Sequence, residues 1–415
     1  MSVTSEEARI CDWIAARQQA MVDELAAWVA IPTGRGFRPG LHRQRAKLAA
    51  RLRALGATTS DAPCEPRPSW MLQDEEDQEA SHAEVGAEHP AVDSLVATHP
   101  GEGPRILLCG HFDTVHDPHG HFRELRDIGG GRASGPGAAD MKGGLVAACT
   151  ALEALKAAGV APRWSFVLVP DEETGSFGSA ATLRRLAAAH DVGFVFEPAG
   201  AGDALITERM GAGQFRIDAF GRAAHVGRDY ERGASAVRAL CEKVLAAEAL
   251  GAPSAGRIVN VGPLQGGAVT NAVPDHAAAW GNVRFASAQA EEALARGLDA
   301  LSSGGDAEVP RVRVQRVFNR PAKPCTPAVQ RLAELARAAS EDLGRPLPFG
   351  ATGGVCDGNT LQGAGLPVID TLGVRGGNLH RDDEFIELAS LAERAQLVAL
   401  MLLRTARGGA PTMRA

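Results

Sequence analysis

Between residues 105 and 196 short apolar runs alternate with helical ones, and each apolar run stops at glycine, proline or an acidic residue. Residues 105–109 (RILLC) lead into Gly110, 164–169 (WSFVLV) into Pro170-Asp171, and 193–196 (GFVF) into Glu197. Between them, 142–158 carries Leu145, Ala148, Cys149, Leu152 and Leu155 on one side, the period of a helix, and 176–189 also reads as helical. Parallel strands need a crossover long enough to hold a helix, so this alternation predicts an α/β fold: a mostly parallel sheet with helices on both faces. Ligands of such sheets bind beyond the carboxyl ends of the strands, so the residues after each run are candidates for chemistry.

The pattern changes near Arg209. Residues 214–220 (QFRIDAF) alternate as a half-exposed strand does. A helix over about 233–249, strands near 257–261 and 278–285, a helix over about 288–301 and a strand at 311–318 follow. That order predicts a small α+β, ferredoxin-like domain at 209–319, inserted into a catalytic domain made of 1–208 and 320–415. A chain of 415 residues is long enough for two cores. After Pro321 helix returns, with a short strand at 367–369 and a final helix from about Glu387. At the other end Ile10, Trp13, Ile14, Met21, Leu25 and Trp28 predict an amphipathic helix. The polar stretch 61–88, with Asp74-Glu75-Glu76-Asp77, reads as a solvated loop.

A net charge of -7 argues against nucleic acid as a partner, because phosphate binding needs a basic face. No run of about 18 apolar residues predicts a membrane span, and the N-terminal stretch lacks the pattern of a secretory signal. A cytoplasmic protein is expected. The seven cysteines are scattered without a CxxC pair, as free thiols are.

Five motifs carry candidate chemistry. In Gly110-His111-Phe112-Asp113, an imidazole can bind a metal through one nitrogen while Asp113 orients the other; a hydrogen-bonded loop histidine is the alternative. In the glycine-rich stretch 134–144, Asp140 is either a helix N-cap or a carboxylate placed to bridge two cations. In Pro170-Asp171-Glu172-Glu173-Thr174-Gly175, adjacent carboxylates repel unless a cation or shared proton compensates, though an acidic turn fits as well. Glu197 ends an apolar run, and His380 follows Gly376-Gly377-Asn378-Leu379. His111, Asp140, Glu173, Glu197 and His380 form a nitrogen and oxygen ligand set suited to zinc, and also to cobalt or manganese.

With these motifs in this order, the sequence resembles the co-catalytic zinc peptidases that include acetylornithine deacetylase, succinyl-diaminopimelate desuccinylase, aminoacylase and bacterial glutamate carboxypeptidase. The resemblance runs from about residue 15 to 405 and is weakest over 55–95. It implies two divalent ions, His111 and Glu197 completing one site, Glu173 and His380 the other, and Asp140 bridging. Asp113 would orient His111, and Glu172 would be the general base and acid. The inserted domain would serve as lid and dimerisation domain of a homodimer. Within it, His225 of Gly221-Arg222-Ala223-Ala224-His225 would help hold the developing oxyanion, and Asn271 of Thr270-Asn271-Ala272-Val273-Pro274 would be a second contact. Arg320 resembles an arginine that clamps a substrate carboxylate, with Arg284 a competitor whose other role is a strand-end salt bridge. Gly354, in 353–359, would line the substrate pocket, where Cys356 stands in place of the expected Ser or Thr.

The implied substrate is a small peptide or N-acyl amino acid, cleaved at an amide next to a free carboxylate, with closest motif agreement to the glutamate carboxypeptidase-like members. A deacylase of the acetylornithine deacetylase type is the nearest alternative. A binding protein that kept the fold and lost catalysis is a rival of another class, but neither Glu172 nor a ligand is missing. No GxSxG elbow supports a serine hydrolase.

Overall fold

The computed structural model describes residues 3–71, 92–305 and 308–409; the acidic run at 74–77 lies outside them. A six-stranded sheet runs in the order Thr58–Ala62, Ser94–His99, Pro162–Val169, Glu102–His111, Val192–Val195, Val368–Ile369. The three pairings around Glu102–His111 and at the Val368–Ile369 edge are parallel, and the two involving Ser94–His99 are antiparallel. Side chains alternate between faces, and the sequence fills both. Ile106, Leu108, Phe166 and Leu168 enter one core with the helices Gly143–Ala157 and Ser390–Arg404. Leu107, Cys109, Val167 and Val169 enter another with Leu183 and Leu186 of the helix Ala180–Ala189 and Leu361 of Asp357–Gly363. Burial on both faces explains why these strands read as unbroken apolar runs.

The segment from Gly211 to Arg320 builds a four-stranded antiparallel sheet in the order Arg257–Gly266, His276–Phe285, Gly211–Phe220, Arg311–Arg320. The helices Ala236–Glu248 and Ala288–Asp299 cover one face, where Phe215, Ile217, Ala219, Leu240, Val283, Leu294 and Leu298 form a separate core. The chain order, strand–helix–strand–strand–helix–strand, is that of a split βαβ motif.

The chain enters and leaves this sheet through two adjacent segments. Arg209 and Lys323 exchange backbone hydrogen bonds of 2.9 and 3.0 Å. Their side chains meet on one buried carboxylate: Asp370 lies 2.8 Å from Arg209 Nη2 and 3.2 Å from Lys323 Nζ. Burial alone would raise the Asp370 pKa, but the two cations hold it below the usual range. Loss of that carboxylate would leave two buried cations without a counter-charge, a cost of about 3–5 kcal/mol.

The structure departs from the sequence expectations in three places. The N-terminal helix is two, Ser5–Ala15 and Gln18–Val29, because Arg17 leaves helical geometry (φ -106°, ψ 9°) while the apolar spacing continues across it. The helix expected from 176 starts at Ala180, since Ser176 sits in the left-handed region at φ 53°. A small sheet of Arg126–Gly129, Arg132–Ser134, Phe385–Glu387 and Gly376–Gly377 was not predicted; its strands are two to four residues long, too short to show a period. Among the described residues no helix is long and apolar enough to cross a membrane.

Candidate metal centre

The predicted ligands come together because each follows a strand end or sits in a turn beside one. His111 is the last residue of the central strand Glu102–His111. Asp140 lies in the turn Ala138–Lys142, entered through Gly137 at φ 68°, where a Cβ would lie 2.5 Å from Thr114 Cγ2. Only glycine fits there. The helix that follows is capped by no side chain, so Asp140 is not its N-cap. Glu172 and Glu173 open a single 3₁₀ turn just after Pro162–Val169. Glu197 follows Val192–Val195, and His380, at φ 65°, sits in the loop between Gly376–Gly377 and Phe385–Glu387.

The two oxygens of Asp140 face different imidazoles. Oδ1 lies 3.2 Å from His111 Nε2, and Oδ2 lies 3.3 Å from His380 Nε2. Each imidazole has a second carboxylate, Glu197 Oε2 at 4.0 Å from His111 Nε2 and Glu173 Oε2 at 3.2 Å from His380 Nε2. Ligand atoms of His111, Asp140 and Glu173 all lie within 4.8 Å of one another. On its far side His111 Nδ1 is 3.3 Å from Asp113 Oδ1. The same Asp113 carboxylate accepts the backbone N–H groups of Glu172 (3.2 Å) and Glu173 (2.9 Å). Asp113 therefore fixes both the His111 ring and the acidic turn.

These residues fit cations. Glu173 Oε1 and Glu197 Oε1 are buried carboxylate oxygens with no hydrogen-bond partner, a costly state unless a cation completes them. Without one, the cluster holds protons instead. Burial, with Asp140 and Glu172 nearby, raises Glu173 to about 7 against the pull of His380. Burial also pushes Glu197 well up. Hydrogen bonds that His380 donates to Asp140 and Glu173 raise it to about 10. Burial opposes a charged His111, yet Asp113 and Asp140 hold its pKa well above the usual range.

His380 rises from 6.5 to about 10, so the stability it gives the ion-free fold is complete below about pH 6.5 and is lost as pH rises through 10. Glu173, raised from 4.5 to about 7, makes the ion-free fold lose stability with rising pH over that interval. A cation needs these groups deprotonated. Ion binding at pH 7 is thus expected to release protons and to tighten from pH 6 towards 9. Calorimetry in two buffers of different ionisation enthalpy measures both, and a pH-independent affinity would contradict the expectation.

Glu172 points to a different partner. Its Oε1 lies 2.7 Å from Nη2 of Arg320, which also donates to the Glu172 carbonyl (3.1 Å) and Ser176 Oγ (2.9 Å). Arg320 Nη1 lies 3.4 Å from Asp357 Oδ1, and Ser176 donates to the same oxygen. The Arg320 guanidinium is therefore buried and engaged by two carboxylates. Arg284 makes no strand-end salt bridge among the described residues; it donates to Asn282 Oδ1 and the Val283 carbonyl. Burial and the nearby charge of Arg320 lower the Arg284 pKa.

His225 and Asn271 meet each other on the 211–320 segment, where His225 pairs with Ala272 and Val226 N–H donates to the Asn271 carbonyl. Both are exposed, and no hydrogen bond or ion pair joins either to the cluster among the described residues. Gly354 is exposed, and its carbonyl accepts from Arg209 Nη1 at 3.3 Å. Cys356 is buried at the start of Asp357–Gly363, and burial pushes its thiol up. The sequence reading missed Glu384; the signal was a carboxylate four residues after a candidate ligand histidine.

Known proteins agree with this geometry. The chain resembles carboxypeptidase G2 of Pseudomonas sp. (strain RS-16), 27% identical over 94% of this chain and 90% of that one. It also resembles succinyl-diaminopimelate desuccinylase of Methylobacterium sp. (strain 4-46), 30% identical over 75% and 83%. In fold it matches aminopeptidase PepT of Bacillus cereus (TM-score 0.72, 21% identity, 94% of this chain and 99% of that one). The Bacillus subtilis YXEP protein, described as a dinuclear metal binding peptidase, matches with a TM-score of 0.64 at 14% identity over 95% and 99%. The model of Peptidase family M20/M25/M40 matches residues 107–404, a span that holds all five candidate ligands together with Glu172, and the chain belongs to that family of metal-dependent amide hydrolases.

Proposed function

We propose that this hydrolase uses two divalent ions, zinc in the first place with cobalt or manganese as alternatives, to cleave an amide next to a free carboxylate, as a glutamate carboxypeptidase-like metallopeptidase. One observation carries the reading: Asp140 turns each of its oxygens to a different imidazole, and each imidazole has its own further carboxylate. His111 with Glu197 would hold one cation and His380 with Glu173 the other, with Asp140 serving both. When bound, the cations supply a water of lowered pKa and stabilise charge on the scissile oxygen.

The chain's own residues do the rest. Glu172 takes the proton of the attacking water and returns it to the leaving nitrogen. Arg320 holds the Glu172 carboxylate in place, and Asp113 holds its backbone. His225 and Asn271, on the inserted domain at 209–319, serve the oxyanion and the substrate in a homodimer, with that domain as lid and dimerisation surface. Arg320 is assigned the substrate carboxylate: it pairs with Glu172 and Asp357, yet its buried Nη1 has no hydrogen-bond partner among the described residues; Arg284, half-buried and with no acidic partner among the described residues, is the competitor. Gly354 contributes to the pocket wall.

The test is a screen of the zinc-loaded protein against dipeptides, folyl-type glutamate conjugates and N-acyl amino acids. Turnover of substrates with a C-terminal carboxylate, and its loss when that carboxylate is amidated, is the expected result. Preference for N-acyl amino acids over every peptide would favour the deacylase reading. Full activity after exhaustive chelation would defeat both.

A further inference from the structure

Glu384 is a buried carboxylate with no part in the chemistry above, yet it touches three of the loops that build the cluster. Its Oε1 accepts the backbone N–H groups of Ala139 (2.8 Å) and Asp140 (3.1 Å). Its Oε2 accepts from His116 Nε2 (2.7 Å) and from the Gly137 N–H (3.3 Å). Its own carbonyl accepts Ser134 Oγ (2.8 Å) and the Gly135 N–H (3.1 Å). Glu384 is 1% exposed, so its carboxylate is buried against these donors, with the buried Lys142 near enough to feel its charge.

The placement matters more than the count. His116 lies on the loop that follows His111 and Asp113, Ala139 and Asp140 on the bridging turn, and Glu384 itself on the His380 loop. The His380 side chain is about half exposed (53%), and its loop is also held by local contacts such as Asn378 and Arg381 with Asp383 and by Asp382, 3.9 Å from His116 Nδ1. On its inner side that loop is anchored by Glu384. Three backbone donors at Gly137, Ala139 and Asp140 converge on one carboxylate, so the turn carrying the bridge and the loop carrying His380 are held at a fixed separation.

We infer that Glu384 is a positioning residue for the cation seat formed by Asp140, Glu173 and His380, setting the distance between the bridging turn and the His380 loop without touching an ion. The inference rests on the two-cation reading. It predicts the larger effect at that seat, because His380 lies on the loop that Glu384 anchors, and a smaller one at the other, where the bridging Asp140 is shared but His111 and Glu197 sit on strand ends that Glu384 does not hold.

The experiment is calorimetric titration of the chelator-stripped full chain with Zn2+ alone, together with the visible spectrum of the Co2+-loaded protein. In Glu384→Gln the side-chain shape is kept, but an amide N–H2 now faces backbone N–H donors. The expected result is about 10–100-fold weaker binding of one ion, the range for outer-shell partners, with a smaller loss at the other and the Co2+ bands altered. Ser134→Ala, which removes only a donor to the Glu384 carbonyl, is expected to leave both affinities and the spectrum as they are. Should Glu384→Gln not fold, His116→Asn, which removes one of the four donors to the carboxylate, carries the same expectation at a smaller loss, still beyond twofold. Unchanged affinity for both ions and an unchanged spectrum in the folded variant would overturn the inference. Failure of the unmutated chain to take up two ions would instead overturn the two-cation reading.

Discussion

Replacing Glu172 by glutamine is expected to leave ion content unchanged while kcat falls by about 10²–10⁴-fold, the range a positioned general acid and base contributes. Glutamine matches the volume of glutamate and can still accept the Arg320 N–H that lies 2.7 Å from Oε1. The turn, held by Asp113 through the backbone N–H groups of Glu172 and Glu173, does not depend on this side chain's charge. Only the ability to take and return a proton is lost. Metal analysis beside steady-state kinetics separates the role from the plain acidic turn that the letters alone allow. A variant that turns over at more than a tenth of the normal rate would remove Glu172 from the mechanism.

Asp140→Ala is expected to have the larger effect on ions. The substitution takes one oxygen from His111 and another from His380, so both seats lose a ligand at once. Affinity is expected to fall by more than the roughly 10–100-fold typical of outer-shell changes, and activity to fall to background. A second readout is stability. A ligand at 100 times its Kd stabilises the fold by about 2.7 kcal/mol per site, so the unmutated protein gains Tm on zinc addition and the variant does not. Two ions bound with normal affinity in Asp140→Ala would show that the carboxylate is not the bridge.

The order of chemistry was legible because the strands are buried on both faces. Ile106 and Leu108 face one core and Leu107 and Cys109 the other, so the run is apolar throughout, and the polar residue that ends it stands out. His111, Glu172 and Glu197 were found on that contrast. Asp140 was ambiguous in sequence because a turn before a helix invites an N-cap; the structure removes that alternative, since Lys142 occupies the cap position and no side chain caps the helix. The partners of Arg320 were not legible. Glu172 and Asp357 lie 148 and 37 residues away along the chain, and no local pattern joins residues that meet only through tertiary packing. Glu384 was hidden for a related reason: its partners are mostly backbone N–H groups, which leave no mark on side-chain identity.

The strand Arg311–Arg320 has a consequence of its own. Its ten residues make a rod about 33 Å long. Hydrogen bonds to Gly211–Phe220 hold it along its length, and its last side chain grips the Glu172 carboxylate. A substitution anywhere in that sheet that slides the rod also displaces the guanidinium at the Glu172 carboxylate. Any change that shifts the outlying sheet along this strand therefore reaches the Glu172 carboxylate, and the two parts of the chain are mechanically joined at that residue.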